Sequence, residues 1–197
     1  KSYAANFEVG KPMIARSVGE VVVSRNNAYH AGDLVVGMMD WSDYAVVPGA
    51  KGLRTADPEF APLPYYLGAL GMPGMTAWIG MKEIGKPKEG ETLFVSAASG
   101  AVGQVAGQMG RMAGCRVVGC AGSDEKVAYL TGEIGFDAAF NHRTEGDYLG
   151  ALKRCCPTGI DVNFENVGGA MLEAVIEHAN DYARSIQCGA ISQYNLV

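Results

Sequence analysis

No stretch of this chain approaches the roughly 18 consecutive apolar residues of a membrane span, and its opening, "KSYAANFEVG", has no apolar signal core. A cytoplasmic protein that does not enter a membrane is expected. A basic field is missing too: 16 Lys and Arg stand against 21 Asp and Glu, a formal net charge of −5, and no Lys/Arg-rich run interrupts the chain. Nucleic acid is therefore not an expected partner, since phosphate backbones are held by clustered cations. The five cysteines include no C-x-x-C pair. Their odd number reads as reduced thiols, which argues against a disulfide framework and a cysteine-rich metal knot. The three histidines, His30, His142 and His178, share no ligand spacing with one another or with any cysteine, so no metal is expected. Internal repeats and low-complexity segments are absent. A chain that opens on Lys also reads as an excerpt of a longer one.

What is present is 48% hydrophobic residues and 27 glycines in 197, enough for one large or two modest globular domains. Two regions differ in period. Residues 18–49 hold short β-rich runs, "VGEVVVSR", "GDLVVGMM" and "DYAVVPG", the mark of a small all-β module. Pro58, Pro62, Pro64 and Pro73 among Gly68, Gly71 and Gly74 mark the join, giving expected domains at 1–70 and 71–197. "PGMTAWIGMKEIG" then reads as a helix with Pro73 near its start and Gly85 closing it. Beyond it, strands alternate with helices. The predicted strands are "TLFVSAA", "CRVVGCA", "DAAFN", "IDVNFEN" and "ARSIQCGAI". The predicted helices cover about 102–113, 124–133, the stretch before Pro157, and about 170–178. This order predicts a doubly wound parallel α/β sheet of the dinucleotide-binding (Rossmann) type, with five strands where such sheets usually have about six.

The densest glycine stretch, "SAASGAVGQVAGQMGRMAGC", follows the first buried strand and opens the next helix. A phosphate-binding turn belongs there: the backbone must approach a pyrophosphate closely, and the helix start offers free N–H groups with partial positive charge. Gly100 and Gly103 have the spacing of the second and third glycines of G-x-G-x-x-G, with Ala101 and Val102 between them and Ala98 in place of the first. A structural turn alone would also explain Gly100. Gly103, Gly107, Gly110 and Gly114 form one helix stripe beside the apolar face of Val102, Val105, Ala106, Met109, Met112 and Ala113. Close packing is the reading for Gly107 and Gly110, and a C′ position for Gly114.

An NAD site would place an acid at the end of the second strand to hold the ribose hydroxyls. Here the strand ends "CAGSDEK", so Ala121, Gly122 and Ser123 leave an uncharged corner and Asp124 reads as a helix-start residue. Lys126 can pair with a 2′-phosphate or be a solvated helix lysine. NADP is the favoured dinucleotide. Tyr44 reads as core, and Cys155 and Cys156 as bystanders at a helix end.

Taken together, "AASGAVG", "GSDEKVAYL", "AFNHRT", "GIDVNFENVGG", "CGAISQYN" and "GMPGMTAWIG" resemble the zinc-independent medium-chain reductases, which include leukotriene B4 dehydrogenase/prostaglandin reductases, plant double-bond reductases and bacterial curcumin reductases. The resemblance runs through almost the whole chain. It implies a partial GroES-like β-rich substrate domain before the Rossmann domain, a chain that stops before its last strand, and a homodimer at full length. It maps pyrophosphate contacts to Ala97, Gly100 and Gly103, the 2′-phosphate lysine to Lys126, and a nicotinamide contact to Asn166. A family tyrosine that assists the lysine is replaced by His142, and Tyr194 matches a tyrosine near the substrate pocket. The Gly-His-Glu of zinc-dependent relatives is absent. The implied activity is NADPH-dependent reduction of the C=C bond of enals and enones. Tyr194 is then a candidate donor to the developing enolate, or equally a packing tyrosine. A quinone reductase and a non-enzymatic NADP-binding protein stand as alternatives.

Overall fold

The computed structural model describes residues 7–195. The chain divides into two compact units, Lys1–Gly71 and Met72–Val197.

The first unit is a three-stranded antiparallel sheet in the order β1-β2-β3, with β1 at Ile14–Glu20, β2 at Leu34–Asp40 and β3 at Arg54–Thr55. β1 and β2 pair along their whole length, from Ile14↔Asp40 to Glu20↔Leu34. Its core is small: Val35, Val36 and Ala56 are buried. Two expectations fail here. The first strand lies earlier than predicted and leaves Val22 and Val23 exposed. Beyond Val21 the chain is taken over by local bonds: Asn26 N–H donates to Ser24 Oγ at 3.0 Å and Ala28 N–H to Asn26 Oδ1 at 2.9 Å. Such side-chain turns compete with a strand ladder. The run "DYAVVPG" is not a strand. Ser42 Oγ–H donates to the Tyr44 carbonyl at 2.7 Å and Pro48 opens a 3-10 turn, so Tyr44, expected in the core, is 82% exposed.

The second unit is a five-stranded parallel sheet in the order β6-β5-β4-β7-β8. Its strands are β4 (Thr92–Val95), β5 (Arg116–Ala121), β6 (Ala138–Asn141), β7 (Ile160–Glu165) and β8 (Ala179–Gln187). Its helices are α1 (Met72–Ile79), α2 (Ala101–Met112), α3 (Asp124–Tyr129), α4 (Tyr148–Cys155) and α5 (Gly169–Glu177). Side chains alternate across the sheet. Leu93 and Val95 of β4 join a core with Ala77, Met81, Ala106, Phe136, Val162, Phe164 and Ile186 on one face. Phe94 joins Phe140, Leu152, Met171 and Val175 on the other. Burial on both faces is what made β4 a continuous apolar run.

Glycine sets how closely α2 lies on this sheet. A Cβ at Gly107 would fall on the Phe136 ring, and one at Gly110 on Leu93. Gly114 has φ +81 just past the C-cap residue Ala113, so it terminates the helix as expected. Gly85 does not. α1 continues through a π-helical turn, Gly80–Gly85, and Lys86 takes the left-handed position at φ 44. Gly85 serves close packing instead, since a Cβ there would lie 2.7 Å from Ile186 Cδ1. The last strand also starts earlier than predicted. β8 pairs Ile160↔Ala179 and then Val162↔Arg184, bulging its extra residues outward at Tyr182.

Candidate functional site

The strand order reverses between β4 and β7, and in open α/β sheets ligands bind at the carboxyl ends of strands flanking such a switch point. β4 ends at Val95, and its continuation makes the glycine turn. Ala97 has φ 47, a left-handed conformation that costs a residue with a side chain roughly 1–2 kcal/mol. Strain of this kind persists only where the surroundings impose it. Ala97, rather than Ala98, thus takes the conformation a leading glycine would take. Ala98 is fully buried, its N–H donating to the Cys120 carbonyl at 2.9 Å, while Gly100 N–H donates to the Ala97 carbonyl at 2.9 Å.

Gly100 is the N-cap of α2 and supplies no side chain to cap it, and no acidic residue occupies the first turn. The N–H groups of Ala101, Val102 and Gly103 belong to that first turn, whose donors have no intrahelical partner. Gly103 is what lets the turn and helix close on each other: a Cβ there would lie 2.6 Å from the Ala97 carbonyl oxygen and 2.9 Å from Ala98 Cα. The result is a tight turn on the positive end of α2, with no side chain at Gly100 or Gly103, a fit for a pyrophosphate.

The second corner is built by the parallel pairing of β5 and β6, which sets Ala121 beside Asn141 and carries the residues after each strand to the same place. Ser123 caps α3, accepting the Lys126 N–H at 3.4 Å, and Lys126 is exposed on that first turn. Of the two acids on that turn, Asp124 and Glu125, Asp124 accepts Asn141 Nδ2–H at 2.7 Å. A Cβ at Gly122 would lie 3.4 Å from both His142 Nε2 and Arg143 Nε. Burial, then the Arg143 charge, holds the His142 pKa below the ordinary histidine value. No ion pair joins Lys126 or Arg143 to a carboxylate among the described residues. Arg143 was missed in the sequence. The only signal was its place next to His142 in "FNHRT", which acquires meaning once β6 is paired with β5.

The third part lies at the end of β7. Asn166 N–H donates to Ser96 Oγ at 2.8 Å and its side-chain Nδ2–H to the Ser96 carbonyl at 2.8 Å. Gly168 and Gly169 follow at φ 76 and 62. The segment after β8 returns to the same spot: Ile191 N–H donates to the Asn166 carbonyl at 3.2 Å and Ser192 Oγ–H to the Val167 carbonyl at 2.6 Å. Tyr194 is exposed, and its hydroxyl oxygen accepts the Ala190 N–H at 3.1 Å. A Cβ at Gly189 would lie 3.1 Å from that hydroxyl and 3.2 Å from the Asn166 carbonyl, so Gly189 separates the two residues. The expected site residues therefore form three groups along one edge of the sheet.

A family profile described as "Zinc-binding dehydrogenase" matches residues 101–196, and one described as "N-terminal domain of oxidoreductase" matches residues 1–55. The chain is 51% identical over 195 residues to a 2-alkenal reductase (NADP(+)-dependent) of Nicotiana tabacum, covering 99% of this chain and 57% of that protein. The chain belongs to the medium-chain dehydrogenase/reductase family. Within that family it groups with the alkenal, curcumin and prostaglandin reductases. It is 43% identical to the NADPH-dependent curcumin reductase of Escherichia coli strain K12, covering 98% of this chain and 56% of that one. A crystal structure of CurA from Vibrio vulnificus in complex with NADPH superposes with a TM-score of 0.88 at 41% identity, covering 100% of this chain and 58% of that chain. The second unit is accordingly a Rossmann-type sheet and the first a GroES-like antiparallel sheet. The chain spans somewhat more than half the length of the curated relatives it matches. Among the described residues no helix is long and apolar enough to cross a membrane.

Proposed function

We propose that this protein is an NADPH-dependent reductase of the C=C bond of α,β-unsaturated carbonyl compounds. The observation that carries the reading is the 51% identity to a 2-alkenal reductase along 99% of the chain, together with the tight turn of Ala97, Gly100 and Gly103 at the start of α2. In this reading Ala97 and the first turn of α2, from Gly100 to Gly103, hold the pyrophosphate. Gly122 and Ser123 leave room for the ribose, Lys126 and His142 with Arg143 hold the 2′-phosphate, and Asn166 contacts the nicotinamide. When bound, NADPH would supply a hydride to the β-carbon of an enal or enone, and the negative charge left on the carbonyl oxygen would be discharged by a proton from solvent at the α-carbon. Tyr194 is the assigned donor to that charge, because its oxygen is held by the Ala190 N–H while its own proton remains free to donate. Positioning of the two reactants does the rest.

Stopped-flow oxidation of NADPH with panels of enals, enones and quinones tests the reading. Turnover on the unsaturated carbonyls supports it. Turnover on quinones alone replaces it with a quinone reductase, and NADPH binding without turnover on either panel makes the protein a binder. A homodimer belongs to the same reading and is checked by sedimentation equilibrium.

A further inference from the structure

At the switch point lies a carboxylate to which no role has so far been given. Glu165, the last residue of β7, is fully buried, and none of the ion pairs among the described residues includes it. A buried carboxylate is costly unless its oxygens are hydrogen-bonded. Here the donors are neutral and local. Oε1 accepts Ser96 Oγ–H at 2.7 Å, Val167 N–H at 2.6 Å and Gly168 N–H at 2.9 Å, and Oε2 accepts Asn163 Nδ2–H at 3.4 Å. Because the Ser96 hydroxyl gives its proton to Glu165, its lone pair faces the Asn166 N–H that it accepts. The Ser96 carbonyl then takes Asn166 Nδ2–H, leaving Oδ1 as that side chain's remaining polar atom. The two N–H groups on Oε1 pull the start of the Gly168–Gly169 left-handed pair onto the same point. One carboxylate thus ties the end of β4, the end of β7 and the entry to α5 together.

We propose that Glu165 is a positioning residue for the nicotinamide half of the dinucleotide, fixing Asn166 and the Gly168–Gly169 turn through Ser96 and the two backbone N–H groups. The proposal rests on the NADPH reading above. An apolar residue of similar size would fill the space, but it would leave the Ser96 hydroxyl and the two N–H groups without a common acceptor.

The test compares two ligands that share the adenine half: NADPH, and adenosine 2′,5′-bisphosphate, which lacks the nicotinamide. For E165A the NADPH Kd should rise at least about tenfold while the bisphosphate Kd stays within about twofold. E165Q should restore NADPH binding to within about threefold of the parent. Its amide oxygen still accepts all three donors on that side, and Asn163, whose Oδ1 has no partner, can turn over to accept the new N–H. If E165A does not fold, S96A, which removes only the bridging hydroxyl, should show the same split to a smaller degree. An unchanged ratio of the two Kd values in E165A or, failing that, in S96A overturns the proposal. A parent protein that binds neither ligand overturns the NADPH reading and this proposal with it, whereas binding of both with no split in the variants overturns only the proposal.

Discussion

At the corner beyond β5 and β6, Lys126 and Arg143 stand with His142 and enter no ion pair among the described residues, and of the two acids on the first turn of α3, Asp124 and Glu125, the first is held by Asn141. Cations left without an internal ion pair are available to grip a 2′-phosphate. NADPH should therefore bind at least about tenfold more tightly than NADH, or about 1.4 kcal/mol. Lys126→Ala should erase most of that preference, and Arg143→Ala should reduce it further. Titration of nicotinamide fluorescence with both cofactors decides this, equal affinities in the parent protein being the contrary result. The cysteines give a second measurement at this scale. Cys115, Cys120, Cys155 and Cys156 are buried, and burial pushes the Cys120 and Cys156 thiols up to about 12, whereas Cys188, its thiol also raised by partial burial, is exposed to reagent. Thiolate is the reactive form. Ellman's reagent at mildly alkaline pH should therefore titrate one thiol in the native protein and all five after denaturation. Two or more fast thiols in the native state would contradict the packing around α4 and β5.

At the scale of the element, α2 shows why glycine is tolerated inside a helix despite a cost near 1 kcal/mol per residue. Gly107 and Gly110 bring its axis onto Phe136 and Leu93, and neither position has room for one methyl group. Gly107→Val should destabilise the protein by about 1–3 kcal/mol through overpacking, read as a lower denaturation midpoint at unchanged slope. Gly132 is the control. It lies in the helical turn Leu130–Ile134 with nothing within 4 Å of an added Cβ, so Gly132→Ala should stabilise by about 0.5–1 kcal/mol. Equal effects at the two positions would mean that propensity rather than packing governs α2. This stripe was legible in the sequence because helical periodicity is local. Gly85 was not, because its partners Ile186 and Val162 are brought against it only when the sheet assembles. The same holds for the site. Spacing pointed to Gly100 and Gly103 but to Ala98 as the leading position, Ala97 coming from the resemblance, whereas Ser96, Glu165 and Arg143 are placed only by the pairing of β4 with β7 and of β5 with β6.

For the whole molecule, legibility followed burial. All five strands of the second unit were found, β4, β5 and β7 because strands covered on both faces write themselves as apolar runs, while the first half of the exposed, polar edge strand β8 was missed. Among the described residues of the first unit, the buried hydrophobic side chains are Val35, Val36 and Ala56, so its valine-rich runs could not be told apart from turns that carry valine. A metal site would also depend on long-range arrangement, and it sets the last prediction, because a matching family profile bears the words zinc-binding. The three histidines lie apart in their bonding: His30 stands 3.9 Å from Asp33, His142 sits beside Gly122, and His178 Nε2–H donates to the Cys156 carbonyl at 2.7 Å. The cysteines would have to ionise to ligate, which burial opposes at Cys115, Cys120 and Cys156, with pKa values pushed up to about 11, 12 and 12. No group of three or more His, Cys, Asp or Glu residues has the arrangement of a metal site among the described residues. NADPH binding and any enone turnover should therefore survive exhaustive treatment with a strong chelator, and elemental analysis of the purified protein should find zinc far below one atom per chain. One tightly held zinc per chain, lost together with activity on chelation, would show that ligands are assembled in a way this donor set does not reveal.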